Sequence, residues 1–449
     1  MGDDEFSSAG NESNEGRSLI ITVSDPKKES EGINSYISYK VNTQTNLPEF
    51  NYGQFSVIRR YSDFIWLSEQ LARDVPGAIV PPLPEKAVVG RFSAEFIESR
   101  RRLLEKFLNR LGAHDELSAS KYFRLFLQAD DGGLASAKAE RKAEQIAVKK
   151  SGLSGISNWF DETMNSISIS MGNSGSEKGG LGTKSPADEK IDEVVAYVNN
   201  LEVQMGNVAK HTTGLMKRNR DLANGLFEFG LSFTLLGQME TDPLSTALTK
   251  LGHTADQLSL LYTEQVAKET AKFEEPMYDY IRVLGAVKAA LNARAKHKHA
   301  LALACVDLDN KKALAAKLAG QPGKEERAAL AEHAVEKAHA DVAHARDAFE
   351  RVSARVIREM ERFKREKAND IRRVVLDYTA MQIEHNKRLE NHWQALLPEL
   401  EAIPNAPPAG FADDYAYSRP PPPIPPPPPR GADDHLGGSS ADTPDLVGV

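Results

Sequence analysis

Hydrophobic positions repeat with two different periods along this chain, and the switch between them divides it. Near the start the period is two: Leu19, Ile21 and Val23 alternate with polar neighbours, as a half-buried strand requires. The same pattern predicts strands at residues 36–41 and 54–60, with Pro48 inside the connection between them. After Tyr61 the spacing lengthens, and Phe64, Ile65, Leu67 and Leu71 fall on one helical face. Pro76, Pro81, Pro82 and Pro84 then forbid regular structure. A further helix is signalled by Phe96, Leu103, Leu104, Phe107, Leu108 and Leu111, with Ser93 as its N-cap. Residues 18–130 therefore predict a compact α+β domain, a three-stranded antiparallel sheet plus helices.

From residue 188 to 400 the pattern is helical with few breakers. Helix one (188–236) carries Val194, Val198, Leu201, Met205, Val208, Leu215, Leu222, Leu226, Phe229, Phe233 and Leu236. Helix two (244–318) and helix three (324–397) are joined by Gly320-Gln321-Pro322-Gly323, too short for anything but an antiparallel pair. Phe349, Val352, Val356, Met360, Phe363, Ile371, Val375 and Tyr378 form the stripe of helix three. Pro276, in Phe273-Glu274-Glu275-Pro276, should kink helix two. Such helices span on the order of 100 Å at 1.5 Å per residue. A lone three-helix arm of that length cannot cover its own stripe, so pairing with a second copy is expected.

Residues 131–187 read as a basic linker holding an amphipathic helix at about 152–171. Leu153, Ile156, Phe160, Met164, Ile167 and Met171 recur every three or four positions, with Trp159 beside them and Lys149 and Lys150 just before. The opposite face is nearly uncharged, which makes insertion depend on lipid-packing defects; docking of the stripe on the helical bundle is the competing reading. Val88, Val89 and Phe92 either dip into a bilayer or pack inward. Residues 1–17 and 401–449 read as disordered tails, acidic and proline-rich respectively. Arg419 to Arg430 is a polyproline II rod with SH3-ligand spacing, also suited to profilin or an EVH1 domain, or simply a spacer.

Composition narrows the function. A net charge of −8 over 449 residues argues against nucleic-acid binding. The single cysteine, Cys305, excludes a disulfide framework and a cysteine-based zinc site, and fits a reducing compartment. No secretory signal and no apolar run near the roughly 20 residues of a spanning helix is visible, so membrane contact is expected to be peripheral. Gly2 lacks the Ser or Thr at position 6 of a myristoylation signal. Gly182-Thr183-Lys184-Ser185 is no P-loop, because no buried strand precedes it. No catalytic or metal-ligating constellation appears and no cofactor is implied; His333, His339 and His344 do not share a face and read as surface residues.

The most specific motif is Arg59-Arg60-Tyr61-Ser62-Asp63-Phe64 at a strand end, followed by Pro81-Pro82-Leu83-Pro84-Glu85-Lys86 and Phe96-Ile97-Glu98-Ser99-Arg100-Arg101. Adjacent strand side chains face opposite ways, so only one of the two arginines can share a given pocket. A guanidinium, an aromatic face, an ammonium and a second guanidinium suit a phosphorylated sugar ring. Pairing of Arg60 with Asp63 on an ordinary surface is the alternative.

These three motifs, in this order and spacing, resemble the phox-homology (PX) domain family. The resemblance implies that Arg60 takes the 3-phosphate of an inositol lipid, Tyr61 packs on the ring, Lys86 contacts the 1-phosphate and Arg100 the 4- and 5-hydroxyls. It favours phosphatidylinositol 3-phosphate, with the 3,5-bisphosphate left open. The helical part, through Phe273-Glu274-Glu275-Pro276 and Tyr280, resembles the BAR domain, the curved dimeric module that follows PX domains in sorting nexins. Together the likeness covers roughly 85% of the chain. It implies a PX–BAR sorting nexin of the retromer-associated, plant- and algal-like sorting nexin 1 group. Such a protein would be a homodimer or heterodimer on the cytosolic face of early or sorting endosomes. It would work with a retromer-type cargo complex in tubule formation, vesicle trafficking and cargo recycling. Basic residues near the arm tip (Lys311, Lys312, Lys317, Lys324, Arg327) and further inward (Arg294, Lys296, Lys298, Arg355, Arg358, Arg362, Lys364, Arg365, Lys367) are expected to meet anionic lipid. A dimeric cytoskeletal scaffold, recruiting SH3- or profilin-type partners through its tail with incidental lipid binding, is the second reading.

Overall fold

The computed structural model describes residues 18–31, 34–86, 92–150, 186–240, 243–319, 321 and 323–403. The acidic N-terminal stretch, Val88 and Val89, the amphipathic segment (Leu153, Ile156, Trp159, Phe160, Met164, Ile167) and the proline-rich tail lie outside the described residues.

Three antiparallel strands, β1 (Leu19–Glu31), β2 (Asn34–Thr45) and β3 (Gln54–Arg60), form a sheet in the order β1-β2-β3. Ile21, Val23, Tyr39 and Val41 turn inward and are almost fully buried. The first two strands run further than their apolar alternation. β1 passes Asp25-Pro26 through a bulge between Ser24 and Lys27, with Asp25 at φ 50°. Pro26 has no N–H for the ladder, so the strand yields one position there and resumes pairing at Lys27 with Ser38.

Four helices complete the domain: α1 (Tyr61–Asp74), α2 (Ala94–Gly112), α3 (Asp115–Ser118) and α4 (Lys121–Gln128). The Ser93 hydroxyl caps α2 by accepting from the Phe96 N–H. Phe64, Phe107 and Phe126 pack edge to face at the centre, with ring centroids 5.0–6.4 Å apart. A fifth helix, α5 (Asp131–Lys150), follows after two non-helical residues, Ala129 and Asp130, and is fastened to α1.

The arm consists of α6 (Pro186–Met239), α7 (Pro243–Glu269), α8 (Glu275–Leu318) and α9 (Glu325–Glu401). Helix two of the sequence pattern is α7 and α8 joined by one π-helical turn, Thr270–Glu274, in which the Glu275 N–H reaches the Thr270 carbonyl. Pro276 follows directly; it cannot donate to a carbonyl four residues back, and the ladder widens by one residue just before it. Near the α6–α7 turn the helices touch backbone to backbone. A Cβ on Gly230 would sit 2.7 Å from the Gly252 carbonyl oxygen, so no larger residue fits.

The stripe on α6 divides. Val198, Met205, Met216 and Ala223 are buried within the arm, whereas Leu215, Leu222, Phe229 and Leu236 are 41–46% exposed at strict intervals of seven. A second heptad seam of large apolar side chains is thus left open on one chain.

The two parts are clamped together. Gly77, at φ +89°, lets the chain turn against Val352 and Val356, and Ile79 beyond it is buried in the arm's own core. Asp279 on α8, 6% exposed at its side chain, binds Lys106 (2.7 Å) and Arg110 (2.9 Å) of α2. Glu116 receives Arg355 (2.5 Å) and Arg358 (3.0 Å). Glu359, also buried, accepts the Ile79 backbone N–H at 2.8 Å and lies 3.1 Å from His114 Nε2. Burial works against ionisation of Asp279 and Glu359, yet the facing cations and donors hold both carboxyls below their ordinary range.

This clamp corrects the inner basic set. Arg355 and Arg358 are taken by Glu116, Arg362 by Glu359 at 2.9 Å, and Arg294 is buried against Asp188 at 2.7 Å. Lys298 also reaches Asp188, at 3.3 Å, and Lys367 bonds the Tyr197 hydroxyl. For Arg294, Lys298, Arg355 and Arg358 the carboxylate comes from a distant part of the chain, so the fold, not local sequence, pairs these charges.

Candidate functional site: the cleft at the β3–α1 junction

The two consecutive arginines end β3 on opposite faces, as strand geometry requires. Arg59 is fully buried. It donates to the Phe126 carbonyl through Nε (3.0 Å) and Nη2 (2.9 Å), to Ala129, and to Ile58 at 2.8 Å. These bonds anchor the end of α4, where helix carbonyls lack intrahelical partners. Arg59 is structural.

Arg60 points outward, with its side chain 48% exposed. Its guanidinium lies 5.4 Å from the centre of the Tyr36 ring, and its Nε is 3.7 Å from Asp63 Oδ1. Asp63 Oδ2 also accepts the Arg60 backbone N–H at 2.8 Å, fixing the entry into α1.

Tyr61 turns to the other wall of the cleft. Its hydroxyl donates to the Pro84 carbonyl, and burial pushes its pKa up, so the phenol stays a donor. Arg100 of α2 sits with its guanidinium 4.3 Å from the centres of both Tyr61 and Phe96, and donates to the Glu85 carbonyl at 2.7 Å. Two aromatic rings and a carbonyl thus hold the guanidinium in one orientation. Lys86, next in the loop, is exposed. Phe92, 37% exposed, lies under Lys28 at 4.7 Å.

The fold therefore brings Tyr61, Arg100 and the loop ending at Lys86 into contact, with Arg60 adjoining at the first turn of α1. On its far side Arg100 borders a cavity of about 330 Å³, whose arm wall includes Glu274, Glu275 and Tyr278. The tip residues lie at the distal α8–α9 turn. Lys312, Lys317 and Arg327 are exposed there, Lys311 pairs with Asp307 at 2.7 Å, and Lys324 bonds Gln321 at 2.7 Å. His333, His339 and His344 are exposed.

Among the described residues there is no cluster of His, Cys, Asp and Glu able to hold a metal. No described helix is long and apolar enough to cross a membrane.

Comparison with known proteins agrees with both halves of this architecture. Residues 47–130 match the PX domain family, and residues 169–399 match the family described as Vps5 C terminal like. Sorting nexin 1 of Arabidopsis thaliana is 33% identical over 396 residues, 86% of this chain and 93% of that protein. The chain belongs to the PX–BAR sorting nexins.

Other sorting nexins support the assignment. Sorting nexin-1 of Bos taurus is 31% identical over 400 residues, covering 86% of this chain and 72% of that protein. Among solved structures, a chain of the SNX-BAR Mvp1 tetramer superposes with a TM-score of 0.60 over 84% of this chain and 99% of its own, at 16% identity, which speaks to the fold alone. For this sorting nexin, membership brings a membrane-associated trafficking role, a phosphoinositide-binding PX domain and a dimerising BAR domain.

The residues that sequence reasoning missed are the clamp and α5. Asp279, Glu116 and Glu359 carried no signal, because their partners across the clamp lie 169 to 280 positions away.

Proposed function

We propose that this sorting nexin reads a 3-phosphorylated inositol lipid on the cytosolic face of early or sorting endosomes. Paired with a second copy or another PX–BAR chain, it senses or imposes curvature there. Its role is recognition, not catalysis. The observation that carries the reading is the set of three cations at the β3–α1 junction and its facing loop: Arg60 half exposed beside Tyr36, Arg100 immobilised beside Tyr61, and Lys86 exposed at the loop. Arg60 takes the 3-phosphate as a fork of donors, Lys86 the 1-phosphate as a point charge, and Arg100 the ring hydroxyls beside Tyr61.

Residues 18–130 serve as the lipid-reading domain and 188–400 as the dimerising arm. The linker residues Leu153, Ile156, Trp159, Phe160, Met164 and Ile167 insert at packing defects. Lys311, Lys312, Lys317, Lys324 and Arg327 add attraction of about 1 kcal/mol each near an anionic leaflet. The context is tubule-based cargo recycling with a retromer-type complex, and the proline-rich tail recruits SH3-, profilin- or EVH1-type partners.

Flotation on liposomes with and without phosphatidylinositol 3-phosphate or the 3,5-bisphosphate tests the pocket. Arg60→Ala is expected to abolish 3-phosphate-dependent flotation while leaving the thermal transition in place. Undiminished flotation of this variant refutes the assignment.

A further inference from the structure

The helix α5 lies outside every element that frames the headgroup cleft, yet one of its side chains binds the carboxylate that contacts Arg60. Lys138 Nζ is 2.5 Å from Asp63 Oδ1, the oxygen that is also 3.7 Å from Arg60 Nε. The other carboxylate oxygen of Asp63 is engaged by the Arg60 backbone N–H. The Asp63 side chain is only 9% exposed, and that of Lys138 28%. The Lys138 ammonium also lies 5.8 Å from the centre of the Trp66 ring, and Arg141 donates to Gln70 Oε1 at 3.1 Å. Two successive turns of α5 are thus fastened to α1, and the position of Lys138 is determined by them.

A nearly buried carboxylate beside a phosphate-binding guanidinium has two opposed effects. It orients the arginine, and it subtracts from the positive potential that an incoming phosphate meets. The first effect needs the hydrogen bonds of Asp63; the second depends on its net charge, which an ammonium at 2.5 Å cancels at close range. We propose that Lys138 is a positioning residue for headgroup binding: by neutralising Asp63 from the linker helix, it reduces the negative charge that an incoming phosphate meets beside the Arg60 guanidinium while Asp63 still holds the turn. The lipid-reading unit then extends beyond α4 into the helix that leads toward the arm. This rests on the reading of Arg60 given above.

The test uses the full-length chain and a soluble short-chain phosphatidylinositol 3-phosphate, titrated calorimetrically so that surface electrostatics of a bilayer do not enter. Lys138→Met is expected to bind on the order of tenfold more weakly, the effect of one uncompensated charge at short range. Lys138→Arg should bind as the wild type does. In an Asp63→Asn background, Lys138→Met should cost nothing further, because there is no charge left to neutralise. Unchanged binding by Lys138→Met, or an equal loss in the Asp63→Asn background, overturns the inference. Should Asp63→Asn fail to fold, the contrast between Lys138→Met and Lys138→Arg decides alone. Arg60→Ala separates the two levels: if it binds like wild type the pocket reading itself fails, whereas loss in Arg60→Ala with none in Lys138→Met defeats only the role of Lys138.

Discussion

Replacing Asp279 by Asn probes whether the lipid-reading domain is rigidly fixed to the arm. The substitution keeps the shape of the side chain and removes one charge. In the native clamp that carboxylate lies 2.7 Å from Lys106, 2.9 Å from Arg110 and 3.6 Å from Arg282. Breaking a buried ion pair from one side costs about 3–5 kcal/mol. Lys106 is 44% exposed and Arg110 27%, so solvent screens part of the leftover repulsion, and a loss on the order of 2 kcal/mol is the better figure. Hydrogen exchange measures it, since an opening equilibrium shifted by that amount speeds exchange about thirtyfold. Residues 102–112 of α2 and the turn around Gly77 should respond, and the α6–α7 hairpin should not.

The pH dependence has a definite sign. The folded state holds the Asp279 carboxyl below its ordinary range, so its contribution is fully present above the unfolded pKa of about 3.9 and is lost as pH falls through the folded value. Between pH 7 and pH 3 the wild type should therefore approach the variant. Exchange in α2 that is identical in the two proteins at pH 7 would refute the reasoning and mean that the remaining clamp contacts hold α2 without the Asp279 charge.

Other expectations follow from the same geometry. Gly77→Ala places a Cβ 3.0 Å from Val352 and 3.1 Å from Val356 at a φ of +89°, and should lower stability by about 1–2 kcal/mol, read as a reduced thermal midpoint. A double change, Leu222→Glu with Phe229→Glu, puts charges into the open heptad seam and should convert a dimer to a monomer in sedimentation equilibrium without loss of helicity. A dimer that persists places the interface elsewhere.

Much of this sorting nexin follows from short-range pattern. The period-two and helical repeats, the Ser93 cap, and the place of Arg60 and Tyr61 at a strand-to-helix junction are each set by a few neighbouring residues, so they are readable along the chain. The long reach of β1 was not, because its outer half is polar and passes a proline at a bulge. Helix α5 read only as a basic stretch, since its fastening to α1 depends on Asp63 and Gln70, about seventy residues earlier.

Sequence alone determined which chemistry is present: two arginines, an aromatic, a lysine and a further arginine in a fixed order, and apolar stripes too long for one chain to cover. Tertiary structure decided which charges remain available. It buried Arg59 under α4, turned Arg355 and Arg358 toward Glu116, and set Lys138 against Asp63. The reason is electrostatic. A charged side chain is disposed of by whatever counter-charge the fold brings within a few ångströms, and that partner's distance along the chain leaves no trace in local pattern.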